Sequence, residues 1–412
     1  MKWRTARNTA PLILTLVLAG FLMFSLISAA DSTMTLTPSQ EPIPASYFDF
    51  NILFHPATKV PWPSEPFYGW RVWHALWYDL EPRKGQWNFG YLDGLVSMAQ
   101  QHNSEMLLIL AYCPQWASSN PDAQGDWGPG TAGPLRDMDD WGNYVRTVAT
   151  RYKGKIHAYE IWNEPNRTRA WAGDMGMMVE MVREASSILK QVDPTTIVVS
   201  PSATGPQGVS WLRDFLKNGG SQYVDVIGYH FYLPPKSSPE GAVPLIQQVG
   251  ELMQQGGIGG RPLWNTEDGW LGPDLFSDDQ AAAYVARTYV LNWAAGVARY
   301  YWYAWDLHRG SNIEIVLPDN MTLTPAGRAF ARIQGWMTGT VMKHCLTSEN
   351  KNWVCEIDRS GTPEYIVWNE DGERSFRLSK DWRVTRVTGL SGGTRSIQGD
   401  SIQVGILPVL IQ

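Results

Sequence analysis

Residues 159–166 read Tyr-Glu-Ile-Trp-Asn-Glu-Pro-Asn, an apolar run that stops abruptly at a polar turn. Proline has no amide hydrogen and disfavours helix in the residue before it, so we expect a strand to end here and to place Glu164 in a loop. Residues 262–267, Pro-Leu-Trp-Asn-Thr-Glu, repeat this pattern later in the chain. The two segments therefore predict two carboxylates, Glu164 and Glu267, at the ends of two strands.

Segments with strand and helix patterns alternate along residues 46–336. Eight such alternations are typical of a parallel (β/α)8 TIM barrel. The expected strands cover residues 48–53, 68–73, 106–111, 156–161, 197–200, 224–229, the run leading into Glu267, and 299–303. Because the loops after the strands of such a barrel reach one face, residues at the strand ends should converge on one site.

The strand ends supply a set of candidate site residues. These are Arg71 after the second strand, Asn163 and Glu164 after the fourth, His230 and Tyr232 after the sixth, Glu267 after the seventh, and Trp305 after the eighth. The long segments 113–136 and 233–244 are expected to shape the site, because loops of this length in a compact domain usually do so.

Several of these residues have a second interpretation. Arg71 also fits a purely structural ion pair, and His230 also fits a core histidine with satisfied hydrogen bonds. Glu160 is expected to be a strand residue paired elsewhere. Four tryptophans fit either further binding subsites or core packing: Trp116, Trp127, Trp171 and Trp270.

Beyond Gly339 short alternating runs are separated by Gly, Asn and Asp turns. This pattern predicts a small antiparallel β-domain over residues 340–412, similar to a β-sandwich, whose expected role is to cover the barrel exterior. Cys345 and Cys355 flank a predicted hairpin and are free to pair in an oxidising compartment. Cys113 is expected to be a buried thiol behind the cleft.

The amino terminus has the pattern of a secretory signal over residues 1–30, followed by a linker over residues 31–45. Lys2, Arg4 and Arg7 precede an uncharged apolar run, and Ser28-Ala29-Ala30 offers a small-residue cleavage site. We expect a secreted or periplasmic protein. The other interpretation is an uncleaved membrane anchor, because the apolar run approaches the length of a membrane span; without it we expect no stable membrane partner.

The formal charge of −6 is opposite in sign to that expected of a nucleic-acid-binding protein. The seven histidines are scattered and no metal-binding spacing occurs, so we expect no metal and no organic cofactor. The chain has 21 Trp and 17 Tyr, more aromatic side chains than a core needs, and the surplus suits stacking on sugar rings. We expect a monomer.

The motifs at residues 161–166 and 264–267 resemble those of the clan of retaining (β/α)8 glycoside hydrolases with glutamates on strands four and seven. Family 39 is the most similar, followed by family 5. This resemblance implies a poly- or oligosaccharide substrate with β-linkages, with Glu164 as general acid/base and Glu267 as nucleophile. In this clan a second polar residue often follows the arginine of strand two. Here Arg71 is followed by Val72, Trp73 and His74, which departs from that pattern.

The resemblance also implies roles for the other candidates. Asn163 would bind the sugar 2-hydroxyl, Arg71 and Tyr232 would hold Glu267 ionised, and Trp305 would form the floor of the −1 subsite. His230 would complete the network or touch substrate. The pKa of Glu164 is expected to be raised by the negative charge of Glu267. Two other functions remain open for this fold: a non-catalytic glycan-binding barrel, and a transglycosylase.

Overall fold

The computed structural model describes residues 32–54, 60–270, 276–308 and 313–412. Its centre is a ring of parallel strands. In chain order these are β1 (Phe48–Ile52), β2 (Gly69–Val72), β3 (Glu105–Leu110), β4 (Ala158–Ile161), β5 (Ile197–Val199), β6 (Ile227–His230), β7 (Leu263–Asp268) and β8 (Val297–Tyr303). Strand β3 is apolar and buried along nearly its whole length, as expected for a parallel strand covered on both faces.

The fifth strand closes the ring in two pieces. Ile197–Val199 pairs with β4, whereas the short segment Ala203–Thr204 pairs with β6. The remaining strands follow one another in the order 4-3-2-1-8-7-6. The predicted combination of a TIM barrel and a carboxyl-terminal β-domain is confirmed.

The helices surround the barrel and bury their apolar faces against it. Their bounds are Trp77–Leu80, Gly90–Gln101, Met138–Arg151, Met175–Val192, Gly205–Lys217, Ala242–Gln255, Asp278–Ala294 and Pro325–Met337. The side chains of Ser277 and Thr324 accept hydrogen bonds from the first turns of the last two helices, as their positions predict. Met178 and Met181 are fully buried core residues. None of the described helices is long and apolar enough to cross a membrane.

The alternation of strand and helix fails after β1. The described residues between β1 and β2 contain no helix, and aromatic rings cover the barrel there instead. Trp62 stacks on His102 with ring centroids 4.1 Å apart and on Phe67 at 5.0 Å. A cluster of large rings buries as much apolar area as a short helix face, which explains why a helix is dispensable at this point.

A second, antiparallel sheet follows the barrel. Its strands are Val341–Ser348, Asn352–Arg359, Thr362–Asn369, Arg386–Gly389, Thr394–Ser396 and Val409–Ile411, beside a separate pair formed by Arg374–Arg377 and Ser401–Val404. Cys345 and Cys355 lie directly opposite each other on its first two strands and form a disulfide. Cys113 is a buried free thiol, as expected.

The prediction that residues 31–45 are a linker is wrong for their first part. Ser32–Leu36 forms a strand that pairs with Val341–Ser348 at the edge of the second sheet. Alternation of polar and apolar residues turns Leu36 inward, where it is buried. The predicted signal segment, residues 1–30, lies outside the described residues.

One face of the second sheet packs on the barrel and shares its hydrophobic core, through Met342, Ile366 and Trp368. A buried polar contact crosses the same boundary. Glu240 pairs with Arg287, whose Nε lies 2.7 Å from Oε1, and the indole nitrogen of Trp368 donates to the same oxygen at 2.9 Å. The sheet therefore covers part of the barrel exterior.

Candidate active site

The turn after β4 holds Glu164 in a strained conformation. Trp162 and Glu164 have φ angles of 77° and 45°, in the left-handed region that residues other than glycine seldom adopt. The Glu164 amide donates to the Ser202 carbonyl at 2.9 Å, and the Trp162 indole donates to the Ala170 carbonyl at 3.0 Å. Such strain costs about 1–3 kcal/mol per residue and persists where surrounding contacts fix the backbone.

Glu267 lies inside β7 rather than after it. Its carboxylate accepts hydrogen bonds from Arg71 Nη1 at 2.6 Å and from the Tyr232 hydroxyl at 3.1 Å. A carboxyl oxygen of Glu267 lies within 4.8 Å of one of Glu164. Both side chains are nearly buried, with Glu164 5% and Glu267 8% exposed. The structure thus brings the two glutamates together at one end of the barrel.

Arg71 organises the carboxylates from the end of β2. It is fully buried, and its Nε lies 2.6 Å from Glu160, its Nη1 2.6 Å from Glu267, and its Nη2 2.6 Å from the Asn163 amide oxygen. Nη1 also donates to the Asn51 amide oxygen at 3.3 Å. The planar guanidinium thus satisfies four acceptors in fixed directions, which a lysine ammonium does not reproduce. Arg71 is therefore an ion-pair partner and part of the site at once.

Asn163 is fixed at both ends of its amide. The oxygen accepts from Arg71, and the nitrogen donates to the Tyr112 hydroxyl at 2.9 Å. Tyr112 itself follows β3 with a φ of 62°. These bonds orient the amide without any contribution from substrate.

His230 is fully buried at the end of β6. Its Nδ1 lies 3.1 Å from Glu164 Oε1, and its Nε2 lies 3.1 Å from Thr266 Oγ1. Thr266 donates to Glu160 at 2.7 Å, and Ser202 also donates to that carboxylate. His230 therefore belongs to a hydrogen-bonded network beneath the glutamates, with no exposed surface to offer a sugar. Glu160 is buried and paired, as expected.

Both oxygens of the Glu164 carboxylate are engaged. Oε1 faces His230, and Oε2 forms an ion pair with Arg167 one turn further along the chain. Burial raises the pKa of Glu164, but the hydrogen bonds and charges of His230 and Arg167 outweigh it and lower that pKa to about 2. The expectation of a raised pKa is therefore wrong for the substrate-free protein, because these two partners stabilise the carboxylate more than burial destabilises it.

The pKa of Glu267 moves in the opposite direction. Burial raises it, and the charge of Glu164 adds to that effect, while His230 and Arg71 act against both. In the substrate-free protein the proton is therefore bound more tightly by Glu267 than by Glu164.

Trp305 does not form an exposed floor. It is fully buried, edge-on to Phe50 with ring centroids 5.2 Å apart. The chain turns inward after β8, so the last strand residue, Tyr303, takes the position beside the glutamates. Burial and then the charge of Glu267 raise the pKa of Tyr303, and its half-buried ring lies edge-on to Trp73 at 6.2 Å.

Of the four other tryptophans, Trp127 alone is exposed among the described residues, at 36%. Its ring lies 5.9 Å from that of Trp73 and 6.2 Å from that of Tyr112. Trp171 and Trp270 are buried, and Trp116 is half-buried with its indole donating to the Glu81 carbonyl at 2.9 Å. Trp127 thus extends an aromatic wall from the site along the long loop after β3.

Glu164, His230 and Glu267 also have the spacing of a metal-binding group, since one donor atom from each lies within 4.8 Å of the others. Arg71 and Arg167 already balance the two carboxylates with positive charge. A cation placed among them would meet both guanidiniums, so the donor set suits acid/base chemistry better than ion binding.

Several site residues were not predicted from the sequence. Asn51 at the end of β1 and Tyr112 after β3 obey the strand-end rule that identified the other candidates. Thr266 lies in the motif beside Glu267. Arg167 has a weaker signal, its position three residues after Glu164, which becomes meaningful only once the turn conformation is known.

The barrel and the paired glutamates agree with similarities to known proteins. Residues 76–292 match the model of glycosyl hydrolases family 39. A family 39 glycoside hydrolase from Bacteroides cellulosilyticus superposes with a TM-score of 0.71 at 18% identity, covering 84% of this chain and 75% of that one. A family 39 β-xylosidase from Caulobacter crescentus gives 0.61 at 15% identity, covering 92% and 98%. At these identities the superpositions establish the fold.

Among curated proteins, endo-1,4-beta-xylanase 3 of Hypocrea jecorina is 31% identical over 127 residues, covering 29% of this chain and 33% of that protein. The chain thus spans about a third of the length of that relative. The family model, by contrast, covers more than half of the chain and includes both motifs. This protein belongs to glycosyl hydrolase family 39.

Proposed function

We propose that the protein cleaves β-linked poly- or oligosaccharides with retention of anomeric configuration, by double displacement. The observation that carries the proposal is the spacing of the Glu164 and Glu267 carboxyl oxygens, within 4.8 Å. Retaining glycosidases place their carboxyl groups about 5–5.5 Å apart, whereas inverting enzymes need roughly 6.5–9.5 Å to admit a water molecule.

In the first step Glu267 attacks the anomeric carbon while Glu164 gives its proton to the departing glycosidic oxygen. Arg71 and Tyr232 orient the attacking carboxylate through one hydrogen bond to each of its oxygens. The bond from the anomeric carbon to the leaving oxygen breaks as the bond to the Glu267 oxygen forms. The product is a glycosyl-enzyme and a free sugar hydroxyl.

In the second step Glu164 removes a proton from water, and the water oxygen replaces Glu267 at the anomeric carbon. Two inversions give net retention. We assign to Asn163, which Arg71 and Tyr112 hold in place, the hydrogen bond to the sugar 2-hydroxyl, a bond that strengthens as positive charge develops on the ring.

For substrate we propose β-linked glycans that contain xylose as the first class to examine. The support is that similar proteins are named as xylanases and a β-xylosidase. Trp127 and the loop around it, residues 113–136, offer a stacking surface beside the catalytic pair. Chain-length preference would depend on this loop and on residues 233–244.

The experiment measures hydrolysis of a substrate panel by the wild-type protein, Glu164→Gln and Glu267→Gln. The panel contains aryl β-glycosides, xylo-oligosaccharides, β-glucans and β-mannans. We expect both variants to fold and to lose activity by roughly a thousandfold or more. Near-wild-type rates in either variant would refute its role. A wild-type protein that binds glycans but cleaves none would favour a non-catalytic barrel.

A second measurement addresses the covalent route. With an activated aryl glycoside, azide should rescue Glu267→Gly and give a glycosyl azide of inverted configuration, because the small anion occupies the space of the missing carboxylate. The same azide should not rescue Glu267→Gln, whose side chain still fills that space. A product of unchanged configuration from the glycine variant would contradict nucleophilic catalysis by Glu267.

We propose that the protein is exported. The support is the signal-like pattern of residues 1–30 and the Cys345–Cys355 disulfide, a bond that persists in oxidising compartments. Amino-terminal sequencing of the protein recovered from the periplasm or the medium should begin close to residue 31. Full-length protein held in the membrane fraction would instead favour the anchor.

A further inference from the structure

The carboxylate of Glu164 has no free oxygen with which to protonate a substrate. Oε1 faces His230 at 3.1 Å, and Oε2 is paired with Arg167. A general acid needs one oxygen that carries a proton and points at the leaving group. One of the two partners must therefore withdraw before the first chemical step.

Arg167 is the partner that can move. His230 is fully buried and fixed between Glu164 and Thr266, so its displacement would disturb the network under both glutamates. The Arg167 side chain is 49% exposed, and its other terminal nitrogen, Nη2, already lies 3.5 Å from Asp126 Oδ2. A small rotation would exchange Glu164 for Asp126 without leaving the guanidinium uncompensated.

Asp126 is held in place for such an exchange. Its other oxygen accepts from Arg169 Nε at 3.1 Å, and Arg169 also donates to the Gly125 carbonyl at 2.9 Å. Asp126 immediately precedes the exposed Trp127. A sugar stacked on this wall on the leaving-group side would therefore lie next to the Arg167–Asp126 pair.

We propose that Arg167 is a positioning residue that keeps Glu164 a carboxylate in the free enzyme and turns to Asp126 when a sugar occupies the leaving side of the cleft. Glu164 then takes one proton from solvent, which it delivers to the glycosidic oxygen. This inference rests on the proposed acid role of Glu164. Glu164 then becomes a proton donor only when a sugar occupies the subsite for the leaving group.

Other charged and titratable groups surround Glu164 and stay in place during this exchange. They are Glu267 on β7, His230 on β6, Arg71 on β2, Tyr112 after β3, Tyr232 after β6 and Tyr303 on β8. The low pKa of Glu164 comes chiefly from His230 and Arg167, opposing burial. Of these two partners only Arg167 has a side chain that reaches solvent. Its effect on the pKa of Glu164 is therefore the one that a side-chain movement can remove.

The test compares Arg167→Met with Arg169→Met, a matched loss of charge at a side chain that contacts Asp126 but not Glu164. Carbon-13 NMR of glutamate-labelled free enzyme follows the titration of Glu164, assigned from the signal missing in Glu164→Gln. We expect Arg167→Met to raise the midpoint by about one to two pH units, with Arg167→Lys and Arg169→Met close to wild type. An unchanged midpoint in Arg167→Met would overturn the proposal.

Kinetics on the panel glycoside with the highest kcat/KM give the second readout. In the wild type the acidic limb of kcat/KM should lie at lower pH than the acidic limb of kcat, because substrate releases Glu164 from Arg167 and raises its pKa. In Arg167→Met the two acidic limbs should coincide. Coinciding limbs in the wild type would overturn the release step. If instead Glu164→Gln retains activity on sugar leaving groups, the acid role itself fails, which separates the two outcomes.

Discussion

Replacing Arg71 with methionine removes the one guanidinium that contacts Glu267, Glu160 and Asn163 together. The side chain is fully buried, so water has little access to take over its hydrogen bonds. Two carboxylates and two amide oxygens, those of Asn51 and Asn163, then each lose one donor. Methionine has a similar length and no charge, so the change isolates the electrostatic contribution.

The size of the effect follows from the distances. Arg71 Nη1 lies 2.6 Å from Glu267 Oε2, which places the charge centres roughly 4 Å apart. At an effective dielectric constant of about 20, this pair interacts by about 4 kcal/mol, or about three pKa units. Without Arg71 the pKa of Glu267, already raised by burial, should rise further. Because Glu267 has the higher pKa of the two glutamates in the free enzyme, the basic limb of kcat/KM should therefore move to higher pH by about two to three units.

The assay is the pH dependence of kcat/KM, with denaturant unfolding as a check on the fold. Breaking a buried ion pair costs about 3–5 kcal/mol of stability. The control variant must therefore lose a buried ion pair of similar strength away from the site. Arg299→Met meets this requirement, because Arg299 is buried against Asp49 and Glu105 near the opposite ends of the strands. The control should lose stability and keep its basic limb. An unshifted limb in folded Arg71→Met would refute the assignment of Glu267 as the ionised nucleophile.

Three further predictions concern the wall, a buried acid and the disulfide. Trp127→Ala should raise KM about tenfold with little change in kcat, measured on oligosaccharides, because it removes about 1.5 kcal/mol of stacking; an unchanged KM would place the subsites elsewhere. Burial raises the pKa of Asp268 to about 7, so the folded state binds more protons than the unfolded state, and stability should fall as pH rises from about 4 to 7. Asp268→Asn should lose less unfolding free energy over this window, by up to about 4 kcal/mol, and an equal slope in both proteins would contradict the shift. Cys355→Ser should lower the free energy of unfolding by about 3 kcal/mol through loss of loop closure, and an unchanged denaturation midpoint would show that the disulfide contributes nothing.

Much of the fold was predictable because parallel strands and amphipathic helices have distinct periods. The runs before Glu164 and Glu267 predicted the two strands that carry these glutamates, and the convergence of strand ends predicted that Arg71, His230 and Tyr232 lie near them. What the pattern did not supply was long-range pairing. The strand at Ser32–Leu36 is specified by its contact with Val341–Ser348, far away in the chain, so its short alternation was interpreted as a linker.

The errors in the site have a different origin. Trp305 and Tyr303 are both aromatic and two residues apart, and only the direction of the chain after β8 decides which one lies beside Glu267. The pKa of Glu164 depends on Arg167, whose proximity follows from left-handed φ angles at Trp162 and Glu164 that residue identity does not indicate. Composition and spacing identify candidate groups, but side-chain direction decides which of them interact.

The most direct measurement of the central claim is mass spectrometry of the enzyme trapped with an activated 2-deoxy-2-fluoro glycoside of a sugar it cleaves. Fluorine at this position slows both steps by destabilising positive charge on the ring, and the activated leaving group keeps the first step fast enough for the covalent intermediate to accumulate. We predict one added sugar on the peptide that contains Glu267, and faster loss of the label when an acceptor sugar is added. An adduct on Glu164 or Glu160, or turnover with inverted product and no adduct, would contradict the account.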